Sequence, residues 1–510
     1  MRESRTIEPA LGTAPQKRQQ RQGELRQAAE MVQRMNRRSR KYWGWWTTVP
    51  LFLTLMSAQA AFGQSDQSFA KPLTLDQVLQ YSLEHYPAVR AALEQVTAAQ
   101  ATIALARANY LPQFSGVYQD SRATQNQVPG IWLATPITPT VEGPISGASG
   151  QSYWGSQAAA LFSFEPVDFG LRAAKVNQAR AGEEKARADL SLTRLQVATE
   201  AGNYFLLAVA NHEAVVAAEA NVERWQVFNR SVHVLTDNEL RPGVDASRAD
   251  AELARAKTQL YETQEGERVA LDTLAAFMGQ AGATLQLDGS RLFETPGGAL
   301  QATAVTAHPL VEEDAAAVRE ARAQEQVLGR TDYPRLYLQA EGFGRGSEIP
   351  DNGTIIGNAN GLEPARGNWI AGVTVLFPDV FALKALSAEK KRAQAEERTQ
   401  EARRDQAIQD LTAQMQAARE KWKTAQLVAQ ETPTELAAAK QSETQSRARY
   451  DAGLATLVEV ADAENLLRQA QMDDALARLN LWRGLFGIAY AQGDFADFLK
   501  VLRAGGGGVH

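Results

Sequence analysis

Apolar positions along this chain follow two periods, and the order in which the periods alternate occurs twice. Over residues 73–108, Leu75, Val78, Leu79, Leu83, Val89, Leu93 and Val96 keep the three-to-four spacing of one helix face. Pro87 predicts a kink there. Past Asn109-Tyr110-Leu111-Pro112 the pattern becomes extended, with Phe114 and Tyr118 alternating over 113–124. A Gly/Pro/Asn-rich loop over 125–151 precedes a second extended stretch at 154–164. Residues 171–235 contain no proline and carry Leu195, Val209 and Val216 at heptad spacing beside Ala198 and Phe205. These 65 residues predict one helix of about 100 Å at 1.5 Å per residue. A turn at Leu240-Arg241-Pro242-Gly243 opens a shorter helix over 245–277.

The whole series then returns, which marks an internal duplication. A helix from Thr303 through His308-Pro309 ends at Asp332-Tyr333-Pro334, and 25 positions separate Pro309 from Pro334 as they separate Pro87 from Pro112. Extended stretches at 335–345 and 369–377 flank a glycine-rich loop at 347–367, with Leu336, Leu338 and Ala340 on one side of the first strand. Trp369, Ala371, Val373, Val375 and Phe377 share one side of the second. Strands of about ten residues suit a tilted crossing of a bilayer, although the strands alone favour a soluble hairpin packed on helices. Pro166 and Pro378 close the hairpins. A second long helix over 381–450, bent by Pro433, leads to the turn Arg449-Tyr450-Asp451-Ala452-Gly453 and a last helix over 455–488. In each copy the opening and closing helices together match the long one in length. Two short helices stacked end to end beside one long helix are therefore expected, with turns at one end and β-hairpins at the other. So thin a body predicts oligomerisation.

Composition narrows the function classes. The chain has no cysteine, which excludes disulfides, thiolate metal sites, a cysteine nucleophile and lipid attachment through cysteine. Residues 1–41 hold 11 Lys+Arg against 4 Asp+Glu, a balance of +7, and the remaining 42 and 55 give −13. An acidic body argues against a nucleic-acid partner. The basic front end has the form of an export signal: Arg37-Arg38-Ser39-Arg40-Lys41, a short apolar run broken by Pro50, then Ser57-Ala58-Gln59-Ala60. The long polar lead makes Met31 or Met35 the expected start. No other segment is apolar enough for a spanning helix, so a membrane crossing by the mature protein requires a closed barrel. The expected divisions are a leader over 1–63, a first repeat over 64–300, a second over 301–490 and a C-terminal tail over 491–510.

The second turn carries the most chemistry. Gly453 stands where a helix C-cap belongs, because glycine adopts the left-handed conformation freely. Glu459 and Asp462 are spaced three apart on one face of the following helix. Acidic residues in a first turn also serve as partners of the helix dipole. The ordered elements over about 70–490, and above all Arg449-Tyr450-x-x-Gly453 followed by Glu459-Val460-Ala461-Asp462-Ala463, resemble the TolC-type outer-membrane factors. The first tip, from Gly243, matches more loosely.

That resemblance implies a mainly α fold with β: a duplicated antiparallel coiled-coil tunnel plus four strands per chain. Three protomers would build a twelve-stranded outer-membrane barrel. It implies a passive export duct in the Gram-negative outer membrane, its helical body in the periplasm, docking a periplasmic adaptor and an inner-membrane transporter. Small-molecule efflux and type I protein secretion use the same duct. A soluble periplasmic coiled-coil scaffold is the alternative of another class. Glu459, Asp462 and Val458 would line the periplasmic gate. Tyr450 would supply the hydroxyl that ties neighbouring hairpins, and Arg241, Gly243, Arg449, Gly453 and Leu454 would form the docking tips. The family arginine two residues past the glycine is Ala455 here, and Asp250 and Arg248 are candidate partners on the first tip. No cofactor is implied. The five histidines, His85, His212, His233, His308 and His510, have no metal-ligand spacing, and no Gly-rich phosphate loop follows a strand, so an enzyme is not expected.

Overall fold

The computed structural model describes residues 71–124, 152–298, 300, 304–348, 359–377 and 382–504. The leader predicted over 1–63, the loop at 125–151, residues 349–358 of the loop at 347–367, Pro378 and Gly505-Gly508 lie outside the described residues.

The first repeat opens with α1 (Leu75–His85) and α2 (Pro87–Ala108), followed by β1 (Gln113–Thr124), β2 (Ser152–Val167), α3 (Leu171–Asp237) and α4 (Gly243–Phe277). The second has α5 (Pro309–Leu328), β3 (Arg335–Ser347), β4 (Arg366–Leu376), α6 (Ala382–Asp451), α7 (Leu457–Gln492) and a short α8 (Ala496–Ala504). The long helices reach 67 and 70 residues. Helix α6 runs unbroken through Pro433. At Pro87 the chain breaks rather than kinks: Tyr86 is extended and Pro87 starts α2. Proline pushes the residue before it out of the helical region and is itself tolerated at a first helical position. His308 and Pro309 repeat this arrangement at the start of α5.

Helix α3 packs against α2, α4, α5 and α7, whereas α6 packs against α5 and α7. The short helices do meet end to end. Tyr86 stacks on Phe277 with centroids 5.6 Å apart, and the His308 Nε2–H donates to the Tyr490 carbonyl at 3.1 Å. Gly279 and Gly493 turn the chain at these junctions with φ of 74° and 80°. A side chain at Gly493 would collide with Pro309 and His308.

The largest core lies around these junctions, where Phe205, Leu206, Leu274, Met278, Trp482, Leu485 and Phe486 are joined by Leu285 and Leu292 from the connecting segment. Phe486 presses against the backbone of α3 at Gly202, a contact that a methyl group there would forbid. Part of the expected tail belongs to this core. In α8, Phe498 and Leu502 lie one turn apart and are buried, and Arg503 pairs with Asp76 at 2.7 Å.

The two hairpins join into one antiparallel sheet in the order β1-β2-β3-β4. The register puts Phe114, Phe162, Ala340 and Ala371 in one row, and Gly116, Ala160, Gly342 and Trp369 in the next row on that face. Residues two apart share a face, so Phe114, Tyr118, Phe162, Phe164, Leu336, Leu338, Trp369, Val373 and Val375 all project from one side. Gln119, Gln157, Gln339, Glu341 and Thr374 project from the other. The exposure is inverted relative to a soluble sheet: Trp369 is 82% and Phe114 76% exposed, whereas Glu341 is 2% exposed. No helix among the described residues is long and apolar enough to cross a membrane.

Candidate functional site: the paired hairpin tips

Each long helix ends in the same hydrogen-bonded reversal. At the second tip Gly453 is left-handed with φ 79°, its N–H donates to the Tyr450 carbonyl at 2.9 Å, and the Leu454 N–H reaches the Arg449 carbonyl at 2.8 Å. These two bonds make a Schellman cap, which satisfies the last carbonyls of the helix. The first tip makes the same two bonds, from Glu239 to Thr236 at 3.0 Å and from Leu240 to Leu235 at 2.9 Å. Its left-handed residue is Glu239, with φ 58°. Gly243, expected to be the turning residue, is instead the first residue of α4, behind an extended Pro242. Glycine was the only sequence signal for the left-handed site, and the first tip fills that site with a glutamate.

The tips meet through Tyr450. Its side chain is fully buried in a cluster with Val222, Trp225, Phe228, Val232, Ala455, Leu457 and Val460. The phenol donates to the Asp245 carboxylate at 3.2 Å, and Phe228 packs edge-on against the ring at 5.2 Å. The guanidinium of Arg241 lies over the same ring, 4.2 Å from its centroid, and donates to the Tyr450 carbonyl. Burial, then the charge of Asp245 and the hydrogen bond to it, push the phenol up to about 12. Asp245 thus takes the place expected for Asp250 or Arg248. Asp250 accepts from Asn229 at 2.8 Å and His233 at 2.9 Å, hydrogen bonds that hold its carboxyl below the usual range. Arg248 is exposed.

A second cross-tie lies farther along the helices. Arg224 of α3 pairs with Glu464 of α7 at 2.8 Å and also reaches Gln471 at 3.4 Å. Glu464 is only 2% exposed; burial raises its pKa, and the hydrogen bond from Arg224 opposes the rise. Between the two ties, Arg447 of α6 lies over Phe228 at 5.4 Å. The sequence offered no signal for Arg224 and Glu464, because 240 residues separate them.

The acidic pair is split in role. Glu459 closes a capping box: its carboxylate accepts from the Thr456 N–H at 3.2 Å, its own N–H donates to the Thr456 hydroxyl at 3.4 Å, and Arg449 lies 4.0 Å from its other oxygen. The helix-start reading therefore describes Glu459 in one chain. Asp462 stands exposed on the same helix, as do Val458 and, in the turn, Leu454. His212 meets Glu267 at 2.7 Å near the surface. No described group of His, Asp and Glu side chains is arranged to hold a metal.

Residues 302–486 match the family described as outer membrane efflux protein. No curated protein is a significant match. Among solved structures, the chain is similar to the outer-membrane protein VceC of Vibrio cholerae, with 17% identity and a TM-score of 0.64, over 82% of this chain and 96% of that one. The CmeC outer-membrane channel of Campylobacter jejuni aligns at 15% identity and a TM-score of 0.66, over 84% and 89% of the two chains. The MtrE outer-membrane channel of Neisseria gonorrhoeae, solved in its open state, aligns at 15% identity and a TM-score of 0.62, over 82% and 89%. The second repeat is thus similar to the outer membrane efflux protein family, and the described body has the fold of these outer-membrane channels.

Proposed function

We propose that three copies of this chain form a passive export duct in the Gram-negative outer membrane, with the sheet in the bilayer and the hairpin tips at the periplasmic mouth. The inverted sheet carries this reading. A face of exposed Trp, Phe, Tyr and Val side chains, opposite one that carries Gln, Glu and Thr among apolar residues, is costly in water and suited to hydrocarbon. A spanning sheet cannot leave edges in lipid, and β1 and β4 are the edges here. Pairing β4 of one copy with β1 of the next is antiparallel, like every pair in the sheet, and three copies give twelve strands. Gln119, Gln157, Gln339, Glu341 and Thr374 then line the lumen. This arrangement disfavours the soluble scaffold.

Transport through such a duct is passive, so the energy and the choice of cargo belong to an inner-membrane transporter reached through a periplasmic adaptor. Leu454, Gly453, Arg449 and the neighbouring first tip form the docking end. At the mouth, Tyr450, Asp245 and Arg241 hold the hairpins together, and Arg241 supplies the cation that is missing at Ala455. Threefold symmetry repeats Asp462 and Glu459 into an acidic ring that favours cations, next to an apolar constriction at Val458. Isolated membranes test the reading. A detergent-extracted trimer in the outer-membrane fraction supports it, and a soluble periplasmic monomer contradicts it.

A further inference from the structure

The long and closing helices of the two repeats share a fixed register. Glu239 and Gly453 are 214 positions apart, as are Gly279 and Gly493, and all four have positive φ. The same shift relates the ends of the long helices, Asp237 and Asp451. In the first repeat the space between α3 and α4 is filled. Tyr204 stacks on Phe277 with centroids 4.8 Å apart, and the Asn211 side-chain amide donates to the Gly266 carbonyl at 3.0 Å. The counterparts of Tyr204, Phe277 and Asn211 are Ala418, Ala491 and Ala425. The second repeat leaves the corresponding space open, as a groove of about 790 Å³ between α6 and α7. Ala417, Ala418 and Ala425 wall it on one helix, and Gly484, Gly487 and Ala491 on the other.

Close helix packing explains Gly484 but not Gly487. A methyl group on Gly484 would stand 2.9 Å from the Trp422 Cα, whereas one on Gly487 would meet nothing nearer than the Ala418 Cβ at 4.0 Å. The groove also holds a charge that the first repeat lacks, because Arg483 stands where that repeat has Val269. Its guanidinium donates to the Leu206 carbonyl of α3 at 3.2 Å, and no described carboxylate is near enough to pair with it. Burial alone pushes its pKa down. A guanidinium carries five N–H donors, and its planar fork matches the oxygens of a carboxylate, sulfonate or phosphate. Asn480 adds an amide to the lining, and Lys421 and Glu420 stand exposed at the rim. The volume is that of a small-molecule site, which is mostly apolar with a few polar groups that fix the ligand's orientation.

We infer that this groove binds an amphipathic organic anion, with its apolar part against the alanine and glycine walls and its anionic head on Arg483. The inference goes beyond a passive duct, and it does not depend on the trimer, because every residue of the site belongs to one chain. Sodium dodecanoate, kept below the concentration at which it forms micelles, is a suitable probe. Titrated into the protein in detergent-free lipid nanodiscs, with binding to empty nanodiscs subtracted, it should bind once per chain. Arg483→Met removes the charge at similar length and should weaken binding at least about tenfold, the size expected for a charge-assisted hydrogen bond. Arg483→Lys keeps the charge without the fork and should lose less. Ala418→Tyr with Ala491→Phe installs the stack of the first repeat and should abolish binding while the protein still melts cooperatively. Dodecylammonium, with the same chain and the opposite charge, should bind no more than it does to empty nanodiscs. Should the filled variant fail to fold, Arg483→Met decides alone. Equal dodecanoate affinity in wild type and Arg483→Met, or equal affinity for the ammonium, overturns the inference. So does wild-type protein that binds no dodecanoate, the result expected if side chains of a second copy fill the groove.

Discussion

Arg241 lies against Tyr450 through two atoms at once, its guanidinium over the ring at 4.2 Å and an N–H on the Tyr450 carbonyl. Both contacts cross between the repeats and neither is available to alanine. A cation over a buried aromatic ring contributes about 0.5–2 kcal/mol, and the carbonyl bond adds about 1.5 kcal/mol as a hydrogen bond from a charged donor. Arg241→Ala should therefore lower the stability of the tip region by roughly 2–3 kcal/mol. Hydrogen exchange at the amides of 445–460 checks this, since local opening there should become faster while the junction core around Phe486 is unchanged.

Tyr450→Phe keeps the ring against Phe228 and removes only the phenol that Asp245 accepts. The expected loss is about 1–2 kcal/mol, since a charged acceptor is left without its donor. The wild-type phenol is raised from 10.0 to about 12, so its bond contributes fully below pH 10 and is lost as pH rises through the higher value. The difference between wild type and Tyr450→Phe in thermal melts should be constant from neutral pH to about 10, and shrink above it.

The pair Arg224–Glu464 is a buried charge interaction in which one partner is almost entirely enclosed. Glu464→Ala leaves the guanidinium facing a dry cavity and should cost roughly 3 kcal/mol, whereas Arg224→Met with Glu464→Leu should recover most of that loss. A denaturant titration of the three proteins separates the two cases. If the double variant is as unstable as Glu464→Ala, packing rather than charge compensation sets the cost.

His308 starts α5 with both ring nitrogens engaged: Nδ1 accepts the Leu310 N–H at 3.1 Å and Nε2–H donates to Tyr490. Burial holds its pKa below the ordinary 6.5. A depressed histidine contributes stability that is complete above 6.5 and is lost as pH falls through its lower folded value, because protonation turns the accepting Nδ1 into a donor. Melting temperature should fall between pH 7 and pH 5 more steeply in wild type than in His308→Asn, which keeps a capping acceptor without a titrating ring.

Charge and capping can be separated at the acidic pair. Glu459→Gln with Asp462→Asn retains the acceptor that closes the capping box with Thr456 but removes both charges. It should weaken block by multivalent cations in bilayer recordings, with a stability change below about 0.5 kcal/mol. Glu459→Ala should cost about 1 kcal/mol as well, through loss of the cap.

Much of this architecture was legible because its signals are local and repeated. Heptad spacing marked α3, the period-two rows marked β1 and β4, and the paired Pro-to-Pro spacings exposed the duplication that predicts α6 as its counterpart. The second tip was located through Gly453, a residue type that announces its backbone. What stayed hidden depends on partners distant in sequence. Asp245 and Arg241 meet Tyr450 only after both hairpins fold, Arg224 finds Glu464 across 240 residues, and α8 buries Phe498 in a core built mostly by α3 and α7. Glu239 was missed for a different reason: it adopts the left-handed conformation without being glycine. Ala455 marked an absence that the sequence left unfilled, and the guanidinium that the fold brings to Tyr450 is that of Arg241.

The account is tested most directly by single-channel recording of the detergent-purified protein in planar bilayers, comparing wild type with the double variant Arg241→Ala, Tyr450→Phe. A closed-mouth duct held by these two residues predicts small, cation-selective steps for wild type and larger steps, or more frequent openings, for the variant. No conductance from either protein, or identical conductance from both, would contradict it.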